Sequence, residues 1–147
     1  MTDEFENQGA FPEGNLEPQQ SPQEEELPDY RMEDLPTPLR EGFKKMGWET
    51  LMPVQARAIP YILAHRDVMI QSRTGSGKTA AYLVPVLQRI DPSKNMTQAL
   101  VLTPTRELAQ QVVHEAEALG SAMDVRTAAV YGGVGYRDQL EAFRKGA

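Results

Sequence analysis

The sequence predicts an α/β fold: a parallel sheet flanked by helices, preceded by a disordered acidic tail. Three observations lead there. Strand-like and helix-like runs alternate three times between Asp67 and Phe143. Two of the strand-like runs are continuously apolar, as strands of a sheet covered on both faces must be. The first strand-to-helix join carries "RTGSGKT", a glycine-rich turn of the kind that follows a parallel strand.

Residues 1–29 hold nine acids and no Lys or Arg, with Phe5, Phe11, Leu16 and Leu27 too scattered to build a core. This composition predicts a disordered acidic tail over 1–29 and a body over 30–147. A short helix is expected over Thr37 to Met46, where Leu39, Phe43 and Met46 recur at helical spacing. Pro53 suits the first turn of a second helix running to about Ala64, with Ala56, Ile59 and Leu63 on one face. "DVMIQS" reads as a short buried strand. Lys78 to Ile90 follows as a helix that Pro85 should kink. "QALVLTP" is the second strand, and Thr105 to Leu119 the next helix, stopped at Gly120. "RTAAVYGG" supplies a third strand, and a last helix begins at Tyr136. Three strands make a small sheet, and nothing after "RKGA" closes it, so a cut domain is expected.

The 147 residues suffice for one domain with a real core. No apolar run reaches membrane-spanning length, and no signal peptide opens the chain, so no membrane association is expected. The absence of cysteine excludes a disulfide framework and leaves only two histidines, His65 and His114, as strong zinc ligands. The cytoplasm is the expected compartment. The net charge of −6 hides an asymmetry: outside the tail stand 12 acids against 15 bases, a net of +3. A mildly basic body can meet nucleic acid, although a solvated surface explains +3 equally well.

A phosphate-binding loop needs a sharp turn after a strand, exposed backbone N–H groups and the positive end of a helix. "RTGSGKT" supplies these, with Lys78 as a point charge for the β- and γ-phosphates and the Thr79 hydroxyl as a Mg²⁺ ligand. Ser72 stands where the strict pattern has its first glycine. Gly75, Gly77 and Ala80 also satisfy a dinucleotide fingerprint, but that reading wants an acid at the end of the next strand. Thr103 and Pro104 stand there instead.

Three further stretches carry a family resemblance. "GWETLMPVQ", Gly47 to Gln55, resembles the Q motif of DEAD-box RNA helicases, written G-F-x-x-P-T-P-I-Q. "SRTGSGKT" resembles their Walker A form, "PTRELA" matches the next motif at every position, and Gly132 and Gly133 stand where the family has its GG motif. The resemblance covers about residues 30–147. It implies a partial RecA-like domain that binds ATP and Mg²⁺ and contacts the sugar-phosphate backbone of RNA without reading its sequence.

Carried over residue by residue, the resemblance makes Lys78 and Thr79 the catalytic residues of the loop. Nucleotide binding falls to Tyr30, Gln55, Arg73, Thr74, Gly75, Ser76, Gly77, Lys78, Thr79 and Ala80, with Thr79 as the metal ligand. RNA binding falls to Pro104, Thr105, Arg106, Gly132 and Gly133. The residue types fit. An amide both donates and accepts, as reading an adenine edge requires. An aromatic face such as that of Tyr30, 17 residues before Gly47, can stack on a base. Packing at a domain edge is the rival reading of Tyr30, and a salt bridge that of Arg106. Trp48 reads as core.

Leu51 and Met52 depart from the motif's Pro and Ser or Thr, and Val54 from its Ile. Losing the hydroxyl at Met52 is expected to remove a link between Gln55 and the phosphate loop. The family's TPGR, D-E-A-D and S-A-T segments and its second domain do not occur in these 147 residues. Hydrolysis requires an acidic pair for Mg²⁺ and positive charge on the leaving phosphate. Two functions therefore stay open: part of an ATP-dependent RNA helicase, or a non-catalytic binder of adenine nucleotide or RNA. The acidic tail could compete with RNA for the basic body.

Overall fold

A computed structural model describes residues 25–133 and 135–147. The tail reading for residues 1–24 lies outside the described residues. Among the described residues a 3₁₀ turn, Met32–Asp34, precedes five helices: α1 Thr37–Lys45, α2 Pro53–Leu63, α3 Lys78–Arg89, α4 Arg106–Leu119 and α5 Tyr136–Arg144. Each helix expected from apolar spacing is present within a residue or two of its expected ends. None among the described residues is long and apolar enough to cross a membrane.

The helix ends explain those boundaries. Behind α1, Gly47 takes a left-handed conformation (φ 73°). Its N–H donates to Lys44 O at 3.0 Å and that of Trp48 to Phe43 O at 2.9 Å. This closure leaves the Trp48 ring edge-on to Phe43 at 5.4 Å. Behind α2 the same closure forms without glycine: His65 adopts φ 60°. Its N–H reaches Ile62 O, and that of Arg66 reaches Tyr61 O. Helix α3 continues through Pro85, which is buried with Leu83, Val84 and Leu87. Thr105 caps α4, its hydroxyl accepting from Leu108 N–H at 3.2 Å.

The core lies where α2 packs on α3, and where α3 and α1 pack on α4. Leu39, Phe43, Ile59, Val84, Leu87 and Leu119 are among its fully enclosed side chains. Helices α1 and α4 meet closely at Gly42, where a Cβ would collide with the Leu119 backbone.

The sheet expected from the sequence is not assigned among the described residues. "DVMIQS", "QALVLTP" and "RTAAVYGG" carry no strand assignment, and no backbone hydrogen bond joins them among the described residues. Met69, Leu100 and Leu102 are 97%, 80% and 85% exposed. Residues 98–103 and 125–130 line one apolar cavity of about 400 Å³, floored by Leu83, Leu87, Val112 and Ala116. A ladder needs a neighbouring backbone within about 4.8 Å and in register. Apolar sequence supplies only the side chains for such a strand.

Candidate functional site

The glycine-rich loop leads directly into α3. Gly75 and Gly77 adopt φ 76° and 85°, a region that strains any side chain. Gly77 is the N-cap of α3, so the positive end of that helix opens onto the loop. A Cβ on Gly75 would meet nothing within 4 Å, which leaves the backbone there open to a ligand. The Lys78 ammonium folds back to donate to Ser72 O and Arg73 O, both at 2.7 Å. The Ser76 hydroxyl is enclosed without a hydrogen-bond partner. Open glycine backbone, an orphaned hydroxyl and an ammonium paired only with neutral carbonyls fit a phosphate group. Arg73 and Thr74 are exposed and Thr79 is half-buried, whereas the Ala80 side chain is enclosed in the core. Only the Ala80 amide can serve a ligand.

Gln55 is 2% exposed and joins this loop to α2. Its Oε1 accepts from Met52 N–H at 2.8 Å, closing the first turn of α2, and its Nε2 donates to Gly77 O at 3.2 Å. The expected loss of a link at Met52 is therefore made good. Gln55 carries the link itself, and the Met52 thioether packs where a Gly77 Cβ would come within 2.7 Å. Tyr30 stands beside the same helix, its N–H donating to Ala56 O at 2.8 Å and its hydroxyl to Asp34 O at 2.8 Å. Gln88 on α3 donates to the Tyr30 hydroxyl at 3.4 Å.

A second cluster forms where the chain enters α4. The Arg106 guanidinium lies 5.8 Å from the centre of the Tyr131 ring. A Cβ on Gly133 (φ 82°) would come within 2.7 Å of it. Among the described residues Arg106 has no carboxylate partner. Gln110 donates to the Tyr131 hydroxyl at 3.0 Å. Gln139 of α5 holds both backbone groups of Tyr131, accepting from its N–H at 3.2 Å and donating to its carbonyl at 3.3 Å. The structure thus brings Arg106 and Gly133 together. Thr105 serves as the cap of α4, and Gly132 stands in open space. Tyr131, Gln110 and Gln139 were not singled out by sequence reasoning. Only the adjacency of Tyr131 to the paired glycines could have flagged any of them.

The DEAD/DEAH box helicase family model matches residues 52–147, which takes in the phosphate loop, "PTRELA" and the glycine pair. The chain belongs to this family. It is 45% identical over 113 residues to the ATP-dependent RNA helicase DeaD of Escherichia coli, covering 76% of this chain and 18% of that one. Its fold resembles the crystal structure of a DEAD box protein from Methanococcus jannaschii, with a TM-score of 0.73 and 31% identity over 80% of this chain and 33% of that one. It also resembles the RNA helicase Prp28 of Chaetomium thermophilum bound to ADP, with a TM-score of 0.70 and 35% identity over 82% of this chain and 30% of that one. The chain therefore spans about a fifth to a third of the length of these relatives. Its fold is a partial form of the RecA-like domain that the two solved structures contain.

Proposed function

We propose that this chain is the ATP-binding part of an RNA helicase. In this reading the Q stretch and phosphate loop hold Mg-ATP, and the Arg106 cluster holds the sugar-phosphate backbone of RNA. The observation that carries it is the Gln55 amide, which ties the adenine-reading position to the loop through Gly77 O. A purely structural glycine turn has no need of that tie. The extended stretches at 67–72, 98–104 and 126–131 are then strands of a parallel sheet that pair with further strands of the same domain.

Bound Mg-ATP would supply a transferable phosphoryl group whose charge the metal partly neutralises. The residues act around it. Lys78 trades the carbonyls of Ser72 and Arg73 for phosphate oxygens, and the Ser76 hydroxyl and the loop amides donate to the same anion. Thr79 offers its hydroxyl to the metal. Tyr30 gives the base an aromatic face, and Gln55 keeps one amide hydrogen and one oxygen lone pair for its edge. Arg106 and the exposed N–H groups of Gly132 and Gly133 position a nucleic-acid strand without selecting its sequence.

A second reading is binding of the nucleotide without turnover. The deciding experiment titrates the protein and its Lys78→Ala variant with fluorescent ADP and Mg²⁺, then measures phosphate release from ATP. Binding that weakens at least about tenfold in Lys78→Ala is the expected result, since a lost charge-assisted contact is worth that much. An unsubstituted protein that ignores ADP would sink the nucleotide reading, and a preference for NADH would revive the dinucleotide alternative. Binding without phosphate release would establish the non-catalytic reading for these 147 residues.

A further inference from the structure

The last residues assigned by composition to the acidic tail lie against α2. Arg57 pairs with Glu26 and approaches Asp29 at 3.7 Å. Arg66 donates to Glu25 O at 3.0 Å, and Leu27 N–H donates to the Tyr61 hydroxyl at 3.2 Å. The two guanidinium groups lie over the Tyr61 ring, 5.9 Å and 5.5 Å from its centre. Arg57 and Tyr61 are one turn apart on the outer face of α2. The left-handed turn at His65 folds the chain back so that Arg66 also covers the ring. A basic and aromatic clamp thus grips Glu25 to Asp29, and the very next residue is Tyr30.

Tyr30 is then held from both sides. On one side stands the clamp. On the other, the Met32–Asp34 turn takes its hydroxyl through Asp34 O, and Arg31 pairs with Glu33 at 2.6 Å. Its N–H is bonded to the carbonyl of Ala56, the neighbour of Gln55. Each ion pair alone is exposed and worth little. Their convergence on five residues adjoining Tyr30 is what gives them an effect, because ordering that segment in advance removes an entropic cost from ligand binding.

We infer that Arg57, with Tyr61 and Arg66, is a positioning device for the nucleotide site: it docks the acidic segment Glu25–Asp29 on α2 and so holds the Tyr30 ring where a base can stack. This rests on the nucleotide reading above. Arg57 does not touch the ligand in this scheme and acts only through the segment. The acidic residues next to the body accordingly serve the nucleotide side of the molecule, rather than competing at the Arg106 cluster.

The test compares the unsubstituted protein with Arg57→Glu, Arg57→Lys and the charge-swapped pair Arg57→Glu with Glu26→Arg. Two quantities are read: hydrogen-exchange protection of the Leu27 and Tyr30 amides, and the dissociation constant for fluorescent ADP with Mg²⁺. Arg57→Glu should lose the protection and bind about fivefold more weakly, the size of a removed surface pair turned repulsive. Arg57→Lys and the swapped pair should recover most of both, and the melting temperature should stay unchanged throughout. Lost protection with unaltered affinity would overturn the inference while leaving the nucleotide reading intact. Protection that survives Arg57→Glu would also overturn it. An unsubstituted protein that shows the protection yet binds no ADP would overturn the nucleotide reading, and with it the positioning role.

Discussion

The Nε2 of Gln55 donates to Gly77 O at 3.2 Å while its Oε1 accepts from Met52 N–H at 2.8 Å, so one buried amide closes a helix and steadies a loop. Replacing it separates the two duties. Gln55→Glu keeps the acceptor for Met52 but sets a carboxylate against a carbonyl, with the charge enclosed. Gln55→Ala leaves the Met52 N–H without its partner, whereas Gly77 O keeps the Ala81 N–H at 3.2 Å. Each should lower stability by about 1–3 kcal/mol, the cost of an unsatisfied buried polar group. Thermal melts check this. The Gln55→Ala variant should also bind adenine and guanine nucleotides alike, and a retained preference for adenine would assign base reading elsewhere.

Gly133 has no room for a side chain, since its φ of 82° and the nearby Arg106 guanidinium exclude a Cβ. Gly133→Ala should therefore displace Arg106 from Tyr131 without disturbing the core. We expect binding of a single-stranded RNA to weaken about as much as in Arg106→Ala. The slope of affinity with salt should fall by about one phosphate contact for Arg106→Ala. Fluorescence anisotropy at several salt concentrations measures both. RNA affinity unchanged in both variants would remove the strand-binding role from this cluster.

These clusters show what was legible beforehand. Helix positions followed from apolar spacing, because Leu39, Phe43, Ile59, Leu87 and Leu119 face the core that the spacing implied. Gly120 marked the end of α4 through local backbone chemistry, which sequence carries directly. The motif residues Gln55, Gly77, Arg106 and Gly133 were legible as types in a pattern. Their partners were not: Gln110 meets Tyr131 from 21 residues away, a contact that no local spacing encodes. Strand pairing was not legible for a related reason. "QALVLTP" has the side chains of a buried strand, but a ladder depends on a neighbour that sequence alone does not place. The clamp at Arg57 was missed because acidic composition reads as solvated until a basic partner is seen opposite it.

Helix propensity and packing disagree at Gly42. Within a helix interior Ala is normally favoured over Gly by about 1 kcal/mol. Here the added methyl would run into the Leu119 backbone, which cannot rotate away as a side chain could. Helices α1 and α4 would have to separate at the centre of the core. Gly42→Ala should therefore destabilise by about 1–3 kcal/mol, the usual cost of overpacking. A urea melt decides the sign, and a gain in stability would mean that α1 and α4 shift apart freely.

Glu115 of α4 sits half-buried, and burial raises its pKa above the ordinary 4.5. Its charge also helps hold up the pKa of Tyr82 on α3, where burial is the larger cause. A carboxyl whose folded-state pKa is raised binds its proton more tightly when folded. Its contribution to stability is thus complete below 4.5 and is lost as pH rises through the raised folded value. Glu115→Gln removes the ionisation. The variant should melt slightly higher than the unsubstituted protein at neutral pH, with the gap closing below about pH 4, where the native carboxyl is itself neutral. Partial exposure keeps the gap small, because water screens much of the cost. A pH series of thermal melts on the two proteins measures it. A gap of constant size across the series would show that Gln acts through packing and not through charge.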